Sequence, residues 1–351
     1  MRRICVLTSG GDAPGLNAVI RALVKRANAR GAEVVGIIDG FKGLVTRQSR
    51  PLDGPAIGGI LHRGGTILGT SNRDSPFAFG GQDRVADCLA HVQGIGAECL
   101  VIIGGDGSLT VGNMLNGRGL PVVGVPKTID NDLSATDQTF GFDTAVTTAT
   151  EALDKLHTTA ESHHRVMVLE VMGRYAGWIA LASGIAGGAD AILLPEMPFT
   201  YEAVARKIEQ RKAVGKPFSI VVVAEGAKTP NGELVVGRTV AGSHDPVRLG
   251  GIGVVVGRKL EELTGLESRV TVLGHVQRGG SPTPYDRILS TRYGVGAADL
   301  ALNGRYGYMV GLRNGFITEV PLAAAVNRRI VSPDGELVQA AKAIGITFGD
   351  E

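Results

Sequence analysis

The sequence predicts an α/β protein of two closely joined domains, with mainly parallel sheets covered by helices on both faces. Three observations carry that reading. The 351 residues exceed what one hydrophobic core usually serves. Short β-rich apolar runs alternate with helical patterns along most of the chain, an order that gives parallel strands joined by helical crossovers. Glycine is abundant, at 52 residues without a strict period, which excludes a collagen-like chain. The glycines cluster just after apolar runs, where phosphate-binding turns sit in such folds.

The elements follow in order. Ile4 to Leu7 reads as a strand, about Leu16 to Arg30 as an amphipathic helix, and Val34 to Ile38 as the next strand. Cys99 to Ile103 and Pro121 to Val125 read as strands that each run into a polar turn. A helical pattern near Thr144 to Thr159 precedes a strand at Val166 to Val171 and a helix from Tyr175. Another helix near Tyr201 to Lys212 precedes the strand Ser219 to Ala224. The stretch from Lys228 to Asp245, with Pro230-Asn231-Gly232 and Gly242-Ser243, reads as turns and loop. Right-handed crossovers place the strand C-termini along one edge, where ligands collect.

Composition bounds the function. A hydrophobic share of 44% with 20% charged residues fits a soluble globular protein. Aromatics at 5% leave the core to Val, Ile, Leu and Ala. A net charge of +2 gives no reason to invoke nucleic acid or a membrane surface, so any anion site must be local. Cys5, Cys88 and Cys99 form no CxxC pair and read as buried thiols of a reducing compartment. The chain opens directly into a strand-like run and carries no long apolar span, so neither a signal peptide nor a membrane helix is expected, and the location expected is cytoplasmic.

Several turns carry chemistry. Ser9-Gly10-Gly11-Asp12-Ala13-Pro14-Gly15 lies between a strand and a helix, where glycines let backbone N–H groups approach a phosphate; a tight structural turn would look similar. It is not a P-loop, because GxxxxGK[ST] occurs nowhere. Gly104-Gly105-Asp106-Gly107-Ser108 repeats the arrangement with a carboxylate that can hold Mg²⁺ against a polyphosphate, cap the next helix, or do both. Pro126-Lys127-Thr128-Ile129-Asp130-Asn131-Asp132 crowds a lysine and two carboxylates onto a strand end. A carboxylate there can take a proton from an acceptor hydroxyl, or the segment can be a polar turn with Asx capping. Met172-Gly173-Arg174, Glu225-Gly226 and the run from Arg269 through His275, Val276, Gln277 and Arg278 add arginines and a carboxylate at further strand ends. Arginine forks suit phosphate and a carboxylate suits sugar hydroxyls, so the set describes a phosphosugar kinase better than a dinucleotide enzyme.

Taken together, LTSGGDAPGLNAVIRA, GGDGS, PKTIDND, EVMGR and VLGHVQRGG make the chain similar to the phosphofructokinase family, from about Arg3 through Gly296. The resemblance implies two Rossmann-like three-layer αβα domains with the active site in the cleft between them. It implies a donor domain at 1–138 closed by 252–303, and an acceptor domain at 139–251 with 304–351. Asp130 would be the general base on the 1-hydroxyl of fructose 6-phosphate, with Thr128 and Asp132 beside it and Lys127 assisting the transfer. Gly10, Arg73, Gly105, Asp106, Gly107 and Ser108 would hold the donor, and Asp106 and Asp132 would hold Mg²⁺. Arg174 would neutralise charge on the transferring group. Thr128, Ile129, Met172, Gly173, Glu225, His275, Val276, Gln277 and Arg278 would bind the sugar phosphate. Arg165 and Arg269 would act across a subunit interface of a homo-oligomer, expected as a homotetramer.

The same resemblance bears on donor and regulation. Gly107 matches ATP users, whereas pyrophosphate users usually carry Asp there, which would repel the rest of a nucleotide. Lys127 matches pyrophosphate users, and Thr70-Ser71-Asn72-Arg73 departs from the shorter bacterial ATP pattern, as in the mixed-substrate subgroup. Gly107 removes an obstacle to ATP while Lys127 can assist transfer from either donor, so ATP is the donor expected and pyrophosphate the alternative. Arg21 and Lys25 match the family's basic effector sites, but Gly54 and His157 replace arginines, which predicts weak or altered nucleotide activation. Other kinases that share a GGDG[ST] turn, and a silent sugar-phosphate sensor, are the rival readings. The first would lack PKTIDND and GHVQRGG, and the second would lack Asp130 or Asp106. Sedoheptulose 7-phosphate is a conceivable second acceptor. His163-His164 reads as surface histidines rather than a metal pair, because neighbours on a strand point apart.

Overall fold

The structure is a computed structural model and describes residues 1–239 and 247–351. The first half alternates as expected: β1 (Arg2–Thr8), α1 (Leu16–Ala29), β2 (Ala32–Ile37), α2 (Phe41–Thr46), β3 (Ser49–Leu52), α3 (Val85–Ile95), β4 (Cys99–Gly104), α4 (Asp106–Gly117) and β5 (Val122–Pro126). There follow α5 (Phe142–His163), β6 (Val166–Val171), α6 (Trp178–Ala186), β7 (Ala191–Leu193), α7 (Tyr201–Ala213) and β8 (Ser219–Ala224). The chain ends with β9 (Val236–Thr239), β10 (Val247–Leu249), α8 (Ile252–Thr264), β11 (Ser268–Val272), α9 (Pro284–Leu302), β12 (Tyr308–Arg313), β13 (Phe316–Pro321) and α10 (Glu336–Ala343).

Two main sheets result. The larger has seven strands in the order β13-β12-β5-β4-β1-β2-β3, and the smaller has four in the order β11-β6-β8-β7. All pairings in the smaller sheet are parallel. In the larger, only β3 and β13 run antiparallel to their neighbours. Every residue of β4, β5, β6 and β8 is buried, as continuous apolar runs covered on both faces must be. In the larger sheet one face packs on α1 and α9 and the other on α2, α3 and α4; in the smaller, one face packs on α5 and α6 and the other on α7 and α8. Both are three-layer αβα units, the fold class read from the sequence.

Three details differ from the sequence reading. The segment returning to the larger sheet is not 252–303. β11 pairs with β6 and α8 packs on both, so 252–272 builds the smaller sheet. The return begins with α9 against α1 and continues through β12, which aligns Tyr308 with Val123, so that 304–351 is itself divided. Covering the edge of β5 with the β12–β13 hairpin removes an open row of backbone donors and acceptors. The stretch from Lys228 onward is not all loop, since β9 pairs with β10 across it; Gly242-Ser243 lies outside the described residues. His163 and His164 are exposed, as expected, but they end α5 rather than sitting on a strand.

Cys5, Cys88 and Cys99 are buried and free, and burial pushes the Cys5 and Cys88 thiols up to about 12. Among the described residues no helix is long and apolar enough to cross a membrane.

The contact of α1 with α9 depends on one glycine. A Cβ on Gly294 would stand 2.5 Å from the Val19 carbonyl oxygen and 2.8 Å from Ala22 Cβ. Gly294→Val should therefore lower the unfolding free energy by about 2–4 kcal/mol, read from urea unfolding. A change under about 0.5 kcal/mol would mean that the helices separate freely.

Candidate active site

The parallel register assembles the site. Thr8 aligns with Ile103, and Gly104 with Pro126, so the residues after β1, β4 and β5 emerge side by side. The Ser9 N–H donates to Ile103 O at 3.0 Å and the Lys127 N–H to Gly104 O at 2.9 Å. In the smaller sheet Val171 aligns with Ala224, bringing Met172 to Arg174 beside Glu225. These two sets of strand ends line a common cleft of about 940 Å³.

On the larger-sheet side the two glycine-rich turns face each other. Gly10 has φ 82°, and a Cβ there would lie 3.3 Å from Ser108 Oγ and 3.4 Å from Lys127 Nζ. The first turn thus needs glycine for its backbone angle and for the approach of the second turn and the lysine. A Cβ on Gly11 would come within 2.8 Å of an Arg278 guanidinium nitrogen, and that guanidinium donates to Asp12 O at 3.2 Å. The 3-10 turn Gly274–Arg278, which follows β11, therefore reaches across to the first turn of the larger sheet. Arg73, Gly105, Asp106 and Gly107 complete this side, and the Gly107 N–H donates to Asp106 Oδ1 at 2.7 Å.

The segment after β5 is fixed by its own hydrogen bonds. The Asp130 N–H donates to Thr128 Oγ1 at 3.0 Å, Thr139 Oγ1 to Thr128 O at 2.7 Å, and the Thr139 N–H to Asn131 Oδ1 at 3.1 Å. Asn131 takes φ 52°, a left-handed angle that asparagine tolerates. Asp130 is 6% exposed, and its Oδ1 is buried with no hydrogen-bond partner among the described residues.

Charge crowding alters several groups. Burial, reinforced by Arg278, lowers Lys127 to about 8 against the pull of Asp130, Asp106 and Asp12. Burial and the negative charges of Asp130 and Asp106 raise Asp132 to about 7. Burial, with Asp130 nearby, raises Glu225 to about 7.

On the smaller-sheet side Arg174 adopts φ 50°, and its N–H donates to Glu225 Oε1 at 3.1 Å. A strained non-glycine backbone of this kind is common where function fixes a side chain. Met172 and His275 line the cleft and Gly173 sits between two lining residues. Ile129, Val276 and Gln277 do not line it: Ile129 is wholly buried, and Val276 is 67% exposed. Gln277 is buried and braces the site, its Oε1 accepting from the Met172 N–H at 2.8 Å and its Nε2 facing Ala145 O at 3.4 Å. Arg165 and Arg269 share Glu267 as ion-pair partner near the N-terminal ends of β6 and β11, the opposite end from Met172. Of the effector-type positions, Lys25 and Gly54 are exposed, Arg21 is half-buried, and His157 Nε2 lies 2.7 Å from Gly187 O.

The sequence reading missed Arg328. It lines the cleft, pairs with Asp106 at 3.4 Å and Asp132 at 3.8 Å, and lies over the Tyr175 ring at 4.9 Å. Nothing local marks it. The signal that leads there is Asn314-Gly315 between two strand-like runs, a hairpin turn that brings the chain back to the larger sheet.

The phosphofructokinase family model matches residues 3–301. The chain belongs to the phosphofructokinase family. An ATP-dependent 6-phosphofructokinase of Chloroflexus aggregans is 55% identical over 361 residues, covering 100% of this chain and 98% of that protein. ATP-dependent 6-phosphofructokinase 2 of Clostridium perfringens is 51% identical, covering 100% and 99%. A solved phosphofructokinase from Saccharomyces cerevisiae superposes with TM-score 0.82 at 32% identity; the match covers 93% of this chain and 45% of the yeast chain. A pyrophosphate-dependent phosphofructokinase from Marinobacter aquaeolei shares the fold at TM-score 0.80 and 21% identity, covering 99% and 92%.

Glu225 gives a test of the cleft's electrostatics. A carboxyl whose folded pKa is raised binds protons more tightly in the folded state, so its cost to stability grows as pH rises from about 4.5 to about 7. Glu225→Gln should stabilise the protein by about 1–2 kcal/mol at pH 8 and by little at pH 4.5, measured by chemical unfolding. An equal effect at both pH values would contradict the burial of this carboxylate.

Proposed function

We infer that this chain catalyses the ATP-dependent phosphorylation of D-fructose 6-phosphate at its 1-hydroxyl, giving fructose 1,6-bisphosphate in glycolysis. The observation that carries the reading is Asp130, whose buried Oδ1 lacks a partner among the described residues, in a cleft lined on one side by anion-ready turns and on the other by Met172, Arg174 and Glu225. Relatives of 50–55% identity over nearly the whole chain bear the same activity in their names.

Asp130 accepts the proton of the 1-hydroxyl as the phosphoryl group arrives. Thr128 holds the base in place through its hydroxyl. Arg174 and Lys127 neutralise charge gathering on the transferring group. Glu225 orients sugar hydroxyls, while His275 and Arg278 hold the sugar phosphate. Gly10, Arg73, Gly105, Gly107 and Ser108 cradle the donor, with backbone N–H groups at the start of α4 favouring its negative charge. Asp106 and Asp132 fit Mg²⁺ as a carboxylate pair, since this ion takes one or two protein carboxylates and completes its shell with phosphates and water. An ion held by these two carboxylates would supply positive charge against the donor's polyphosphate.

Gly107 and Lys127 together resemble the mixed-substrate subgroup, with Gly107 setting ATP as donor. The placing of Arg165 and Arg269 at the strand ends remote from their own cleft supports their service to a partner's site in a homo-oligomer.

Asp130→Asn should lower kcat by about 10²–10⁴-fold with the KM for fructose 6-phosphate changed less than about threefold. A variant retaining most of its kcat would remove Asp130 as the base. Gly107→Asp should cut kcat/KM for ATP by about tenfold or more through charge repulsion and crowding, leaving the affinity for fructose 6-phosphate nearly unchanged. Equal loss toward both substrates would remove Gly107 as the donor determinant.

A further inference from the structure

Arg328 is built into the cleft rather than lying against it. Residues 327–329 run antiparallel to the end of the segment that carries the base, with an isolated bridge between Leu133 and Arg328. The Arg329 N–H donates to Asp132 O at 2.7 Å and the Ser134 N–H to Asn327 O at 3.2 Å, bracketing Arg328 on both sides. Behind it, Trp178 Nε1 donates to Arg329 O at 3.1 Å, and the Val331 N–H donates to the half-buried Glu196 at 2.9 Å. The backbone of Arg328 is thus held on both strands while its side chain, 42% exposed, bridges two carboxylates.

We propose that Arg328 guards Asp106 and Asp132 against free divalent cations, so that the metal ion enters only together with the donor's polyphosphate. This rests on the reading of those two carboxylates as the metal pair. The guanidinium supplies positive charge where a cation would otherwise be drawn by two carboxylates alone. At this exposure its ion pairs are weak, so they yield to a complex that offers more. A free ion gains two carboxylates and displaces a cation from them. A polyphosphate-bound ion brings anionic oxygens that suit the displaced guanidinium's fork of donors. The Tyr175 ring lies beneath the guanidinium at 4.9 Å and favours its positive charge beside the two carboxylates.

Mn²⁺, which shares the oxygen-rich preference of Mg²⁺, reports binding by electron paramagnetic resonance without turnover. The full chain would be titrated with Mn²⁺ alone and with Mn²⁺ plus β,γ-imido-ATP. Wild type should bind Mn²⁺ far more tightly with the nucleotide than without. Arg328→Ala should bind Mn²⁺ alone about three- to tenfold more tightly than wild type, and Arg328→Lys should return toward the wild-type value. The double variant D106N/R328A should lose the gain. Unchanged or weaker binding of Mn²⁺ alone by Arg328→Ala, with an unchanged unfolding midpoint, would overturn the guard. If D106N/R328A kept the tightened binding, the metal pair itself would be misassigned and the guard would fall with it.

Discussion

Like charges crowded into one cleft are the constraint on which the rest of this molecule depends. Burial and the negative charges of Asp130 and Asp106 push Asp132 to about 7 even with Arg328 opposing the shift. Lys127 lies beside them only 4% exposed, where burial outweighs the attraction of Asp130, Asp106 and Asp12 and lowers it to about 8. Such a cluster contributes little to stability by itself, because desolvation consumes much of the Coulomb gain. It is a site poised for a ligand that brings compensating charge.

Holding that cluster open falls to the sheets and to groups that never touch the cleft's contents. Parallel pairing fixes which turns meet: residues after β1, β4 and β5 on one side, after β6 and β8 on the other. Gln277 braces Met172 from the core. Glu170, buried on β6, accepts from the N–H groups of Gly251 and Gly253 and so anchors the start of α8. Glu196 ties the start of α6 to the C-terminal segment through the N–H groups of Gly177 and Val331. Backbone donors satisfied in this way keep carboxylates tolerable inside a protein.

Much of this was legible in the sequence, for identifiable reasons. Apolar runs ending in glycine or paired charges predict both strand and turn, and β1, β4, β5, β6 and β8 all emerged close to their expected bounds. Most of the candidate residues at those strand ends line the cleft because parallel strands share one C-terminal edge. Sheet membership was less legible, since periodicity identifies a strand without naming its neighbour. β11 joined β6 and β12 joined β5 across long separations in sequence. Arg328 escaped for the same reason, as its role exists only once the β12–β13 hairpin has brought residues 327–331 alongside Leu133. Gln277 reads as a ligand in its motif, whereas packing makes it a brace.

The most direct test of the account follows phosphorus through the reaction. The purified chain would be given fructose 6-phosphate, Mg²⁺, ATP and pyrophosphate together and followed by ³¹P nuclear magnetic resonance. The account predicts a growing sugar 1-phosphate resonance matched by equal ADP, with pyrophosphate untouched. Orthophosphate released from pyrophosphate as the bisphosphate forms, with ATP intact, would contradict it.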